Sequence, residues 1–497
     1  MSSEGRRLAV GTSWTLFSTF LALIVGAILN PVLVLYLGVD GYGEWAAAIA
    51  VASLFGLGGD LGVSGALTKF TAERRGRHED LGSMAGSALL FALLAGVVAG
   101  ALLAGLSTVL ERGSAYPNFA ILLQIQALQM PLNLGIASLL SLYQGRQRFR
   151  ALAGFSILQV GSSFGLAVVL LLMGRGIEGV MIASLVVSVI VFGTLIAQHR
   201  SEVRFRGYPA FRSDFRTLVP FGFRLTLTNA FSTALYHIDL VVLTFLVRDP
   251  VQLGLYALAT FVTRTLWIIP GSIGVTTYPV VSEYASANQS ARVGRYMSTA
   301  LVATIGIMGV LSTAFILFGR PAITLVFGQN ANPAYDLGLI MLLGTAVLGC
   351  HRSVASAIPG VGRPDVGLRV SAAGAGILLA LCVPLVAAWG SRGAAVAVTV
   401  AFAFVGALLS WSIRRYVLRP FGAALDMKRV FRVGSLAIIL AVVATLFSLP
   451  ENPSLESWIV AGAASLVATL VMIEASGGRQ TWAAVVRRPP GEVSERI

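Results

Sequence analysis

The sequence predicts an all-α integral membrane protein of about fourteen transmembrane helices: two parallel six-helix lobes around a central cavity, plus two C-terminal helices. Three observations carry this. Of 497 residues, 56% are hydrophobic and 12% charged, with a mean hydropathy of +0.82, which excludes a soluble domain. Fourteen apolar runs can be read, each near the roughly 20 residues that span a bilayer core. Between them, twenty-eight of the thirty-six Lys and Arg fall in alternate gaps. Basic loops stay cytoplasmic, so the bias sets topology.

The runs of the first lobe are 9–37, 44–66, 83–108, 119–143, 151–173 and 177–198. Arg6 and Arg7 precede them, and basic gaps follow at 67–82, 144–150 and 199–217. The second lobe reads 218–247, 253–281, 296–319, 336–358, 370–389 and 393–413, with basic gaps at 282–295, 360–369 and 414–432. A shorter pair, 433–449 and 458–474, precedes a basic tail. The opposite gaps hold only Arg112, Arg175, Arg248, Arg320 and Arg392. The expected division is therefore a lobe over 1–200, a cytoplasmic linker 201–217, a lobe over 218–413, and 414–497 holding a loop, two extra helices and the tail. Both termini come out cytoplasmic, in the plasma (inner) membrane. The run from Leu8 is too long for a cleaved signal, and no small-residue site closes it. A net charge of +14 would point to nucleic acid in a soluble protein. Here it is the topology signal plus attraction to anionic lipid, and no nucleic-acid partner is expected.

The lobes read as copies. Gly145-Arg146 recurs as Gly362-Arg363 and Arg175-Gly176 as Arg392-Gly393, both 217 residues apart. A looser echo relates Gly59–Val63 to Gly271–Val275. Six spans per copy keep one orientation, the parallel kind of repeat, which places a binding site between the halves. Irregular backbone at membrane depth needs protein or a wet cavity to satisfy it. Pro31 and the stretch from Pro270 to Pro279 are accordingly the expected hinges, and Pro131 is a further breaker. Gly96/Gly100 and Gly161/Gly165 have the spacing of close helix packing.

Ionisable groups at membrane depth usually face a bundle interior or a wet cavity. Asn229, Ser232, Tyr236 and Asp239 fall on one helical face of the seventh span. Arg224 lies fifteen residues before Asp239, where it can bind substrate or snorkel to the interface. Folding the seventh and eighth spans together brings Asp239 and Arg264 to similar depth. The pair then either holds the hairpin, or Arg264 meets an anionic substrate group that Asp239 tunes. Asp60 reads as a helix cap after Gly58-Gly59 or as a cavity group. Gln126, Gln129 and Asn133 form a neutral stripe suited to sugar hydroxyls or to bonds between helices. Arg352 is a further cationic candidate or a snorkelling residue, and His237 reads as structural.

Other chemistry is poorly supported. Gly41–Ala46 fits the dinucleotide pattern without a βαβ context. Gly161–Gly165 fits the nucleophile elbow inside a span. The only lysines, Lys69 and Lys428, do not follow Gly, so there is no phosphate-binding loop. Zinc spacings are absent, and Cys350 and Cys382 both fall in apolar runs. No gap is long enough for a folded extramembrane domain. A transporter is expected rather than an enzyme, with no cofactor.

The chain resembles the polysaccharide flippase family of the multidrug/oligosaccharidyl-lipid/polysaccharide exporter superfamily. The resemblance rests on Leu37-Gly38-Val39-Asp40-Gly41-Tyr42-Gly43, Gly59-Asp60-Leu61-Gly62-Val63 and Asp239. It continues through Gly254-Leu255-Tyr256-Ala257, Tyr278-Pro279 and Gly393-Ala394-Ala395, in an order that covers most of 8–413. It implies two six-helix lobes around a cavity and transport of polyprenyl-diphosphate-linked glycan from the cytoplasmic to the outer leaflet. It also implies the bilayer itself and glycosyltransferases or a polymerase as partners. On that footing Arg264, helped by Arg224 and Arg352, would contact the diphosphate. Coupling to the membrane potential, Na+ or H+ stays open, with Asp60 and Asp239 as candidate ion sites. A cation-coupled drug exporter of the same superfamily is the alternative. A glycan polymerase or ligase ranks lower, because the longest outer gap, 320–335, has no His or Glu.

Overall fold

The computed structural model describes residues 3–476 apart from 57–58, 60, 77–82, 115, 201, 204–206, 288, 421 and 451–452. Among the described residues there is helix and no strand. Eleven helices among the described residues are long and apolar enough to cross a membrane, and a bent pair makes a twelfth. Two of the eleven are themselves pairs that meet at a non-helical glycine: Gly38 (φ 75°, ψ 173°) in α1 (Ser3–Gly56), and Gly390 (φ 57°, ψ −134°) in α13 (Pro364–Ile413). Counting each as two crossings recovers the fourteen predicted segments. The chain is a multi-pass membrane protein.

Contacts group the chain into two compact units, Met1–Ala257 and Leu258–Ile497. In the first, the Tyr42 hydroxyl donates to Asn30 Oδ1 (2.8 Å), joining the two halves of α1 across Gly38. Pro31 lies within the first half, where Asn30 Nδ2 donates to Gly26 O at 2.7 Å. The second half ends at Gly56, short of the predicted 66. A turn with positive φ at Leu61 (41°) and Gly62 (70°) breaks the helix. The chain re-enters helix as α2 (Val63–Gly76), so the segment expected as a loop from 67 is largely helical. Its Val63, Ala66 and Leu67 join a buried core with Leu139 and Leu142 of α4 (Phe119–Gly145) and Val191 and Leu195 of α6 (Gly176–His199).

Gly96 and Gly100 of α3 (Met84–Gly113) do permit close packing. A Cβ on Gly96 would lie 2.4 Å from Pro131 Cα, and one on Gly100 2.4 Å from Ala127 O. Gly161 and Gly165 of α5 (Phe149–Leu172) do not: nothing lies within 4 Å of a Cβ there, because both face away from the helices that α5 packs on. α7 (Tyr208–Leu246) begins ten residues before the predicted span and packs on α1, α2 and α3.

The motif segments named above touch one another within this unit. A Cβ on Gly254, near the start of α8 (Pro250–Thr265), would sit 1.8 Å from Val39 O, and one on Gly43 2.6 Å from Gly254 N. Likewise a Cβ on Gly62 would lie 2.0 Å from Gly222 O. These glycines let two backbones approach where any side chain would intrude.

In the second unit, α9 (Ile268–Ser286) follows α8 at a 45° bend. The break falls at 266–267. Pro270 is the third residue of α9, where a missing N–H has no intrahelical acceptor to lose. α10 (Ser290–Phe327) packs on α9 and on α11 (Ala334–Ala355), and α11 packs on α13. After the single turn α12 (Ala357–Gly360), the 217-residue repeat reappears as helix boundaries. α5 ends at Leu172 and the first half of α13 at Trp389; α6 begins at Gly176 and the second half of α13 just after Gly390. The looser echo does not survive, since Gly59, Leu61 and Gly62 lie in turns whereas Gly271–Val275 is helical. The last pair are full helices, α14 (Met427–Leu446) and α15 (Leu455–Ala475), seated on α10 through Val302, Val433 and Met472.

Candidate functional site

Two of the three arginines that fell inside apolar runs meet the same aromatic pair in the second unit. Arg264 is in the last turn of α8, two residues before the bend, and Arg352 in the last turn of α11. The Arg264 guanidinium lies 5.8 Å from the Phe402 ring centroid, and that of Arg352 5.1 Å from Trp267. Trp267 and Phe402 contact each other at 5.4 Å. Cations over aromatic faces gain about 0.5–2 kcal/mol, the upper figure where water is excluded.

Local structure fixes this group. Trp267 occupies the N-cap of α9 with helical dihedrals, is 7% exposed, and donates its indole N–H to Thr345 O at 2.8 Å. Gly274 lets α9 lie against α11, since a Cβ there would be 2.6 Å from Arg352 O. A Cβ on Gly271 would lie 4.0 Å from Arg352 Nε. Gly274, inside the stretch expected to hinge, is thus a packing position that holds α9 on the α11 backbone. Both arginines are half-buried as residues, and Arg352 Nε itself is buried. An arginine pair so held presents planar donors suited to phosphate oxygens. Sequence reading missed Trp267 as a supporting ring and Phe402 altogether; aromatic residues are common in apolar spans, and their meeting needs the fold.

Asp239, in the first unit, is fully buried and accepts a 2.7 Å hydrogen bond from the Tyr256 hydroxyl. Its partner within the unit is thus a tyrosine of the Gly254–Ala257 segment, which sequence reading had not paired with it. Along the expected α7 stripe, Asn229 is exposed and Ser232 and Tyr236 half-buried. Asp60, and the side chains of Arg224 and Pro279, lie outside the described residues. Gln129 is buried between α4 and α6. It donates to Ser188 Oγ at 3.1 Å and accepts from Ser184 at 3.1 Å, while Ser188 reaches Asn133 Oδ1 at 3.4 Å. Gln126 points its amide at Met181 Sδ (3.0 Å). Of the two uses foreseen for this stripe, bonding between helices is the one displayed. His237 is half-buried on α7.

Beyond the membrane segments, the ends of α4 and α6 are joined by Arg146 and Glu202, at 2.6 and 2.8 Å. Burial pushes the Glu202 carboxyl up, but the Arg146 hydrogen bond and the charges of Arg146, His199 and Arg148 together hold it below its ordinary value.

A family model described as polysaccharide biosynthesis protein matches residues 8–285, and one described as MatE matches 225–384. Among curated proteins, the chain is 24% identical over 153 residues to the probable low-salt glycan biosynthesis flippase Agl15 of Haloferax volcanii. That match covers 31% of this chain and 32% of the relative, so the chain aligns with about a third of its length. Among solved structures it is similar to the lipid II flippase MurJ in an inward closed conformation. The TM-score is 0.72 at 16% identity, covering 97% of this chain and 100% of that one. A multidrug resistance MATE family transporter of the MOP superfamily, inward-facing, aligns with a TM-score of 0.58 at 15% identity over 81% and 99% of the two chains. At these identities the likeness is one of fold.

Proposed function

Because the chain belongs to the family of polysaccharide biosynthesis proteins, whose model matches more than half of it, we propose that it is a flippase for polyprenyl-diphosphate-linked oligosaccharide. It would carry the head group from the cytoplasmic to the outer leaflet by alternating access, for cell-surface polysaccharide or glycoconjugate synthesis. The carrying observation is the pair Arg264 and Arg352 held on Trp267 and Phe402. Glycan and diphosphate cannot cross hydrocarbon unaided, whereas the polyprenyl tail need not leave it. Two guanidiniums, one two residues before the α8–α9 break and one over Trp267 within it, match a diphosphate in charge and offer planar donors to its oxygens. Arg224, on α7, remains a further candidate contact for the diphosphate. The bend between α8 and α9, with Pro31 and Pro279, supplies places for the backbone to rearrange. An inside-negative potential assists outward movement of negative charge by about 2.3 kcal/mol per charge per 100 mV. Asp60 and Asp239 remain the candidate sites for coupling to Na+ or H+.

The test is a head-group accessibility assay in liposomes holding candidate lipid-linked glycans. Arg264→Gln and Arg352→Gln should lower flipping to the rate of protein-free vesicles while the variants still insert. Undiminished flipping by Arg264→Gln removes that residue from the mechanism. The MatE match over 225–384 favours a second reading, a cation-coupled exporter of the same fold. That reading predicts altered drug sensitivity on expression and no glycan-dependent flipping.

A further inference from the structure

The C-terminal hairpin carries a cleft that the transport reading does not use. It is lined on α14 by Arg429, Arg432, Leu436 and Ile439, with Ser435 beside them, and on α15 by Val471, Glu474 and Ala475, and forms an open groove of about 770 Å³. That falls within the roughly 300–1,000 Å³ of small-molecule sites. Its two ends differ in chemistry. The arginines stand at the basic end of the hairpin, and Ile439 lies seven residues deeper, about 10 Å at helical rise.

The arginines are fixed by backbone. Arg429 donates to Ser476 O and Arg432 to Ala475 O (3.3 Å), so both complement the C-terminal end of the α15 dipole. A guanidinium has five N–H donors, so holding one carbonyl leaves each able to take phosphate oxygens. Ile439 is 56% exposed at membrane depth, which suits an acyl chain. Glu474 on the rim leaves the cleft with a single net positive charge, which matches a monoanionic phosphodiester better than a diphosphate.

We propose that this cleft binds the head group of an anionic two-chain phospholipid of the surrounding leaflet, with one chain along Leu436, Ile439 and Val471. Basic pockets between membrane helices on the cytoplasmic side hold anionic head groups in this way.

The full chain, purified in mild detergent, is offered phosphatidylglycerol, phosphatidylcholine or polyprenyl diphosphate, and retained lipid is read by native mass spectrometry. Phosphatidylglycerol should be retained about 5-fold over phosphatidylcholine, the effect of one net basic charge at a leaflet surface. Arg429→Gln combined with Arg432→Gln should abolish that preference. Ile439→Trp, which leaves both charges in place and fills the groove, should lower retention as well. Arg432→Gln alone keeps the Arg429–Ser476 bond and covers the case in which the double variant does not fold. Equal retention of the two phospholipids overturns the proposal. So does preference for polyprenyl diphosphate, or wild-type retention by the folded variants. Flipping of lipid-linked glycan is not the readout, so the transport reading stands or falls separately.

Discussion

The Tyr256 hydroxyl donates a 2.7 Å hydrogen bond to Asp239, a carboxyl with no exposed surface. A carboxyl at membrane depth is costly unless donors meet it. Tyr256→Phe keeps the ring and removes this donor, so it should destabilise the protein by about 1–3 kcal/mol. The measurement is thermal unfolding in detergent, and an unchanged midpoint would show that the bond contributes nothing net.

Trp267 should matter to transport without touching chemistry of its own. Trp267→Leu keeps the Arg352 charge but removes the ring beneath it and the bond to Thr345. Flipping should fall by up to about 30-fold, the equivalent of a desolvated cation–π contact. Trp267→Phe should restore much of the rate, and equal loss in both variants would assign the effect to the indole N–H.

Gly254→Ala places a methyl 1.8 Å from Val39 O, so one backbone must move. Overpacking of this kind costs about 1–3 kcal/mol. Gly367→Ala, with nothing within 4 Å, is the matched control and should be near neutral. Thermal midpoints of the two variants decide it, and equal midpoints would remove the contact as a constraint.

The Glu202 carboxyl is held below its ordinary value in the folded protein. The stability it contributes is therefore full above the unfolded carboxylate range and is lost as pH falls through the folded value. The pair is partly exposed, at 22% and 31%, so the effect is under about 1 kcal/mol. Arg146→Gln should move the acid end of the stability profile toward higher pH and flatten it near neutrality. A profile identical to wild type would show that the pair is silent.

The crossings were legible because they depend on composition over some twenty residues, a signal that survives irregular backbone. Even the last pair, short on hydropathy, form helices of 20 and 21 residues. Turn positions were less legible: hydropathy runs smoothly through Gly56, yet Leu61 and Gly62 turn the chain and start α2 early. The arginines Arg264 and Arg352 were found because charge in an apolar run is conspicuous. Their rings were not, since Phe402 lies 138 residues from Arg264 and one more apolar residue carries no information. Asp239 was found for the same reason as the arginines, and Tyr256 was quoted only as part of a motif. Spacing along one helix could not pair them, because the link crosses from α7 to α8.

The repeated hairpins bear on biogenesis. Met173–Arg175 and Gly390 are turns too short to hold a translocated domain, and each has one arginine, Arg175 or Arg392, at or just after it. Neither helix of such a pair can be delivered separately. On the topology expected from the basic loops, the two would enter the bilayer together, the apolar mass on both sides carrying the charge across. On that topology each hairpin would be an insertion unit of its own.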